Sequence, residues 1–568
     1  MAARPINGLS ETGNSSFDWK EKMDWLENIE ENLKINEEAM IAALSELLKH
    51  RSERADAVRT KDGEVYPFGQ GVQDAFECFL DMGRQMGFEV RNVDNYGGHI
   101  DYVGTGKPIL DEEGNVTGYE KPLVVGIIGH LDVVPAGDGW KFEPYGGIVD
   151  DGMIYGRGTT DDKGPMVSCL YAMKAMKDAG YRPENTIRII IGLDEETNWD
   201  GMDYYLSKVE KPDFGFTPDS DFPVINGEKG ILVFRLARKF APAHVKGLSL
   251  RSMTGGTAPN AVPDSCRVVI TDTHLTTKAS KKGKSGKSTK KAGGSAAAVA
   301  SVALDSDGLS KTGKASSAAL GTPITPYDKV RSEAQNFFEE TGYKIKIRGI
   351  GKSLELTSTG IAAHGAKPEA GLNAISIMMA FLGRLNFVNE EQNDFIDFYN
   401  KHIGFGLDGE GLGMACTDEP SNSLILNVGM ADLDEKAGEL TINVRYPVTA
   451  DSDEIYERLA EVLERYDIGI IKEKDQEPVF RDADDPMIRL FMEIYQKHTG
   501  DIQSQPLVIG GGTYARACPG IVAFGAAFPG DVDLMHQKNE ALSIARFEEM
   551  TKIYAETIYK LSQGDYNR

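Results

Sequence analysis

The chain has 568 residues, enough for about three or four units of ordinary domain size, so one compact core is not expected. Apolar residues make up 41% and charged residues 26%, which excludes a mostly disordered or collagen-like chain. Lys and Arg number 62 against 87 Asp and Glu, a net charge of −25, so the surface repels nucleic acid and anionic lipid and neither is expected as a partner.

Residues 1–16 lack an apolar signal core and read as a flexible leader, which makes the cytoplasm the expected address. No apolar run approaches the ~20 residues of a membrane helix. Five scattered cysteines (Cys78, Cys169, Cys266, Cys416 and Cys518) form no CxxC pair and read as reduced, mostly buried thiols. From Asp18 to about His50, Leu26, Ile29, Leu33 and Ile35 interleave with charges, which predicts a helix. A second helix is predicted over Val72–Met86, stopped by Gly87. Val124–Gly129 is a continuous apolar run of the kind that forms a buried parallel strand. Met166–Lys177 reads as a helix ending at Gly180, and Ile187–Leu193 as another buried strand. Strands alternating with helices predict an α/β sheet.

After Gly230 the pattern changes. Ile231–Leu236, Cys266–Thr271 and Leu354–Thr357 alternate like half-exposed strands, while Ala374–Leu385 and Glu454–Tyr466 read as helices covering one face. Within this stretch, residues 278–320 form a low-complexity basic insert with nine Lys and two Asp and no aromatic residue. It reads as a disordered loop, or as an electrostatic tether to an anionic surface. Beyond about Phe480 come a helix (Met487–His498), a short strand and a Gly-rich turn. The organisation expected is a first catalytic part at 17–230, a lid or substrate-binding part at 231–480, and a second catalytic part at 481–568.

Five short blocks carry candidate chemistry. GHLDVVPAGDGW puts His130 and Asp132 after a buried strand, where open α/β sheets carry their sites. His130 can offer a ring nitrogen to a metal, and Asp132 is close enough to orient a neighbouring side chain. YGRGTTDDKGP holds Asp161 and Asp162, which could cap the following helix or bridge two cations. LDEETNWDG places Asp194, Glu195 and Glu196 after an apolar strand, where three acids are costly unless solvated or neutralised. TPDSDFP supplies Asp219 and MHQKNE supplies His536. Mixed nitrogen and oxygen donors suit zinc or manganese better than calcium or magnesium.

These blocks, in this order, resemble the two-metal amidohydrolase family of acetylornithine deacetylase, carboxypeptidase G and carnosinase, most closely its peptidase V-like bacterial dipeptidases. The resemblance spans roughly residues 20–565 apart from the insert. It implies an α/β fold: a zinc-peptidase-like catalytic domain with a mixed sheet between helices, plus an inserted α+β lid of doubled ferredoxin-like lobes. Two divalent metal ions are implied, Zn2+ first, with Mn2+ or Co2+ possible. His130, Asp161 and Asp219 would bind one, and Asp161, Glu196 and His536 the other. Asp132 would orient His130, Glu195 would be the general base, and the Asp161–Asp162 peptide bond would be cis.

The resemblance extends to the lid. GIAAHGAKPEAGLNA would bring His364 to the developing oxyanion, and GGTAPNAVPDSC would supply Asn260 to the substrate. NVRYP would supply Arg445 to the substrate carboxylate, and GGGTYAR would contribute Gly511, Gly512 and Thr513 to a backbone loop beside it. Even without the insert, 231–480 is too long for one simple lobe, so a doubled lid and a monomer are expected. The implied reaction is hydrolysis of a dipeptide's peptide bond, with removal of an acyl group from N-acyl amino acids (a desuccinylase or deacetylase) as the alternative.

Overall fold

The computed structural model describes residues 21–276 and 325–566. The predicted leader and the basic insert fall outside the described residues. In chain order the main elements up to Glu228 are α1 (Glu21–Leu48), α2 (Gln70–Gln85), β1 (Glu89–Val93), β2 (Gly97–Tyr102), β3 (Val124–His130), α3 (Lys163–Asp178), β4 (Thr186–Gly192), α4 (Asp200–Lys208), β5 (Phe214–Thr217) and β6 (Ile225–Glu228). The chain then builds β7 (Gly230–Lys239), β8 (Leu248–Gly255), β9 (Ser265–Asp272), α5 (Pro326–Thr341), β10 (Lys346–Ile350), β11 (Ser353–Thr359), α6 (Ala374–Leu382), α7 (Glu390–His402), β12 (Ile425–Asp434), β13 (Ala437–Tyr446), α8 (Ser452–Leu463) and β14 (Gly469–Gln476). It returns through β15 (Val479–Phe480), α9 (Pro486–Thr499), β16 (Leu507–Ile509), β17 (Ile521–Ala523) and α10 (Ile544–Leu561).

A nine-stranded mixed sheet runs in the order β15-β6-β17-β5-β3-β4-β2-β1, with β16 on β6. Its centre is parallel, β4 and β5 flanking β3 and β17 flanking β5, while β2 and β1 close one side antiparallel. Central strands buried on both faces need apolar residues in both phases. On β3, Val125 and Ile127 join the main core with residues of α1, α3 and α10, whereas Ile128 points to the other side, against Tyr514 and the α4 residues Met202 and Tyr205. On β4, Ile187, Ile189 and Ile191 take the first side and Ile190 the second. Each such fully buried Ile stabilises the fold by about 1.5–3 kcal/mol.

The second sheet is built only from strands between Gly230 and Gln476. It has eight strands in the order β10-β11-β9-β8-β12-β13-β7-β14, every neighbour antiparallel. Its core joins β7 (Leu232, Phe234, Leu236), α6 (Ile375, Met379), α7 (Phe395, Phe398) and α8 (Ile455, Leu459). Caps start the helices where the pattern begins: Asn373 Oδ1 accepts the N–H groups of Ile375 and Ser376 at α6, and Thr325 and Asp328 form a capping box at α5. The two crossings between the sheets run side by side. Gly227 pairs with Phe480 in the mixed sheet, and Ile231 pairs with Gln476 in the antiparallel one. Among the described residues no helix is long and apolar enough to cross a membrane.

Candidate active site

The site starts from the carboxyl end of β3. Its last residue, His130, is fully buried, and its backbone N–H donates to Asp162 Oδ2 at 3.1 Å. Asp162 stands at the N-cap of α3 but makes no side-chain capping bond, so its carboxylate serves the neighbouring strand, not its own helix. Glycine is required beside it: a Cβ at Gly129 would lie 2.1 Å from Asp162 Oδ2. The Asp161–Asp162 peptide bond is cis.

Asp132 braces the site in two ways. His130 Nδ1 is 2.9 Å from the Asp132 carbonyl oxygen, against 3.4 Å from its carboxylate. The Asp132 carboxylate instead accepts the N–H groups of Glu195 (Oδ1, 3.1 Å) and Glu196 (Oδ2, 3.1 Å). One residue thus orients the imidazole through its main chain and clamps the turn after β4 through its side chain. Trp199 Nε1 adds a bond to the Glu195 carbonyl at 2.9 Å.

The remaining acids converge on His130. Its Nε2 faces Asp161 Oδ1 at 2.9 Å and Asp219 Oδ2 at 3.6 Å. The other oxygen of Asp161, Oδ2, is 2.8 Å from His536 Nε2, and that nitrogen is 3.1 Å from Glu196 Oε1. Asp161 therefore lies between two histidines, one on each of its oxygens. His536 arrives on a turn with left-handed backbone (φ 60°), a conformation non-glycine residues seldom adopt and one that clusters at functional positions. Ligand atoms of His130, Asp161 and Glu196, and of His130, Glu195 and Asp219, lie within 4.8 Å of one another in each group.

The electrostatics of this arrangement are unbalanced. Burial and the nearby Asp161 push the Asp219 carboxyl up to about 7. Burial and Asp219 push Glu195 well above the usual carboxylate range. The Asp161 and Glu196 carboxylates drive His536 up to about 11. Burial opposes the charging of His130, yet Asp132 and Asp161 outweigh it and raise this imidazole too. His130 Nε2 is buried and makes no hydrogen bond. With Nδ1 donating to the Asp132 carbonyl, Nε2 is the ring nitrogen free to coordinate a cation shared with Asp161 and Asp219. The donor set fits a divalent metal of mixed nitrogen and oxygen preference.

A cavity of about 630 Å³ opens over these groups, lined by Asp161, Glu195, Glu196, Asp219 and His536 and, on a further wall, by Gly511, Gly512 and Thr513. Asn260, His364 and Arg445 are not in its lining. Asn260 and His364 are joined to each other: Ala261 pairs with His364, and Gly365 N–H donates to the Asn260 carbonyl at 2.7 Å. Burial, then Arg445 and His536, lower the His364 imidazole. Arg445 lies behind the Gly-rich wall, with Nε on Asn443 Oδ1 (3.0 Å) and Nη1 on the Gly510 carbonyl (2.8 Å). Burial and Arg516 pull its guanidinium down to about 10.

Three further groups support the site beside those that the motifs mark. Glu228 accepts from Thr513 Oγ1 at 2.7 Å and lies 2.7 Å from Arg516 Nε, fixing the Gly-rich loop from below. Lys367 lines the cavity from the antiparallel-sheet side. Glu540 closes the same block that holds His536. The signals were present, a lone acid in INGEKG, a lysine in HGAKPEAG and the last residue of MHQKNE, but no local pattern marks their partners.

Histidines and carboxylates gathered at the strand ends of an α/β body have the make-up of a metal site. The chain belongs to Peptidase family M20/M25/M40, whose sequence profile matches residues 126–560. The chemistry of that family depends on divalent metal ions. A Staphylococcus epidermidis relative named "Putative dipeptidase" is 31% identical over 551 residues, spanning 96% of this chain and 100% of that protein. The Bacillus subtilis "Putative dipeptidase YtjP" is 32% identical over 506 residues, 89% of this chain and 94% of its own. Among solved structures, the aminoacylhistidine dipeptidase of Vibrio alginolyticus is similar at 15% identity and a TM-score of 0.48, over 91% of this chain and 96% of that one.

Proposed function

We propose that the protein hydrolyses the peptide bond of dipeptides at a pair of divalent metal ions, zinc first among them. The observation that carries the reading is the seating of Asp161 between His130 and His536, one on each carboxylate oxygen. His130, Asp161 and Asp219 would hold one ion, and Asp161, Glu196 and His536 the other. When bound, such a pair polarises the scissile carbonyl and makes a water acidic enough to lose its proton near neutral pH.

The chain's own residues do the rest. Glu195, raised by burial and by Asp219, takes the water's proton and delivers it to the leaving amine, the double duty of a general base and acid. Asp132 keeps Glu195 in place through the N–H it holds. His364 donates to the oxygen that gains charge as the carbonyl is attacked, a stabilisation effective in a water-poor site. Asn260, on the same turn, contacts the substrate backbone. Arg445 has five N–H donors; with two given to Asn443 and Gly510, the others bind the substrate's C-terminal carboxylate beside Gly511, Gly512 and Thr513. A planar guanidinium suits this better than an ammonium. Residues 231–480 act as the lid, and a doubled lid supplies His364 from the same chain, so the enzyme works as a monomer, in the cytoplasm.

The test is a substrate panel on metal-loaded protein: Ala-Ala and β-Ala-His against N-acetyl and N-succinyl amino acids. Dipeptides are expected to turn over fastest, and all activity to vanish on full chelation and return with Zn2+ or Mn2+. Faster release of acetate or succinate would replace the dipeptidase by a deacylase. Hydrolysis that survives demetallation would end the reading altogether.

A further inference from the structure

Glu540 is a carboxylate with no exposed surface, and it accepts four hydrogen bonds from one short stretch. Oε2 takes Arg157 Nη1 (2.6 Å) and the Gly158 N–H (3.1 Å); Oε1 takes the Thr160 N–H (2.8 Å) and Thr160 Oγ1 (2.9 Å). The main chain is tied alongside. Gly156 N–H donates to the Glu540 carbonyl at 3.1 Å, and Ala541–Ser543 pairs antiparallel with Met153–Tyr155. Arg157 is itself only 2% exposed and sits over the Trp140 ring at 5.3 Å.

The position of this clamp gives it meaning. Thr160 immediately precedes Asp161, and Glu540 follows His536 by four residues. The clamp therefore joins the two segments whose tips meet at 2.8 Å, Asp161 Oδ2 and His536 Nε2. Stability is a poor reason for such a group, since a buried ion pair is often matched or exceeded by apolar residues of similar volume. What a carboxylate adds is direction: two oxygens read four donors and fix the loop 157–160 in one register.

We infer that Glu540 is a positioning residue that sets the separation of Asp161 from His536 and thereby the affinity of the metal these two share with Glu196. This rests on the functional reading above. Its consequence is selective. The ion held by Asp161, Glu196 and His536 depends on Glu540, whereas the ion held by His130 and Asp219 keeps two ligands that Glu540 does not touch.

Zn2+ binding to full-length protein, followed by equilibrium dialysis with elemental analysis, tests it. The wild type is expected to hold two equivalents. Glu540→Gln keeps the volume but turns an N–H2 group toward donors; it should hold one equivalent as the wild type does and the second about 10–100-fold more weakly, the usual cost of a lost supporting contact at a metal site. Thr160→Val removes one contact and should weaken the same equivalent by a smaller factor, while Thr160→Ser, which keeps the hydroxyl, should restore it. Circular dichroism of the metal-free forms reports whether each variant folds, and Thr160→Val decides the matter if Glu540→Gln does not. Two full-affinity equivalents in folded Glu540→Gln, or in Thr160→Val, would overturn this inference alone. Fewer than two in the wild type would overturn the functional reading with it.

Discussion

Two regions of this molecule bury charge, and they do so differently. At the seam between the sheets, Glu228, Arg445 and Arg516 are nearly as enclosed as any core residue, and each is matched: Glu228 by Thr513 and Arg516, Arg445 by Asn443 and the Gly510 carbonyl, Arg516 by the carbonyls of Lys229 and Glu477. At the carboxyl ends of β3 and β4, four carboxylates and two histidines crowd together. Among the described residues, none of those carboxylates is paired with a Lys or Arg; their only ion-pair partners are His130 and His536. At the seam, hydrogen bonds to each of the three charged groups hold it in one orientation. At the strand ends, four carboxylates against two histidines leave a cluster with excess negative charge, which a bound cation would neutralise.

The contrast is broken most directly at Glu195. It lines the cavity, yet none of its side-chain atoms is within ion-pair distance of a described cation. Glu195→Gln keeps its shape and removes its basicity. The expected result is a fall in kcat of about 10²–10⁴-fold, the size of a general-base contribution, with metal content unchanged by elemental analysis. Near-normal turnover would mean that another group carries the proton and that Glu195 belongs with the structural charges.

How much of this could be read beforehand depends on whether a residue's partner is local. The apolar runs around Val124–Gly129 and Ile187–Leu193 announce buried strands because both faces of a parallel strand are covered, and the acids and histidine that follow them fall where the strands end. The alternation of Ile231–Leu236 and Cys266–Thr271 shows because helices cover only one face of that sheet. Helix α3 starts at Lys163, earlier than Met166, since Gly164 and Pro165 fit a first turn that needs no inner hydrogen bonds. What stayed hidden depends on distant chain. Asp162 reads as a cap from its neighbours, but its oxygen serves His130. Asp132 reads as the residue that orients His130; what does not show is that its carbonyl is the nearer group, at 2.9 Å, and that its carboxylate also holds the N–H groups of Glu195 and Glu196. Glu228 and Glu540 find their donors hundreds of residues away.

The matched region is sharpened by Arg445→Lys. A lysine keeps the charge but cannot make the paired bonds to Asn443 and Gly510. It therefore loses the forked bond proposed to the substrate carboxylate, a charged hydrogen bond of about 1.5–3 kcal/mol, so KM for Ala-Ala should rise roughly 10–100-fold with both metal equivalents retained. Steady-state kinetics and metal analysis on one preparation separate the effects. A lost metal with unchanged KM would place Arg445 in the service of the ions and erase the distinction between the two regions.

The smallest effect comes from a histidine that serves as an internal control. His99 lies on β2 of the same sheet as His130 and is also buried, but it is satisfied: Nδ1 is 2.7 Å from Tyr205 Oη, and Nε2 is 3.9 Å from Asp101 Oδ2. Asp101 is itself taken by Arg188 at 2.7 Å. Burial, helped by Arg188, lowers the His99 imidazole to about 4, the opposite direction from His130. The folded protein thus keeps His99 neutral while the unfolded chain protonates it near the ordinary value of about 6.5. Between these values the unfolded state binds more protons, so stability falls as pH drops from about 6.5 to 4 and is fully present above. The side chain is 7% exposed, so little is lost to solvent screening, and the whole effect is bounded at about 3 kcal/mol. His99→Asn, which does not titrate, should flatten the decline of Tm over this window without altering metal content. A decline of equal slope in wild type and variant would assign the acid sensitivity to other groups and leave His130 without its control.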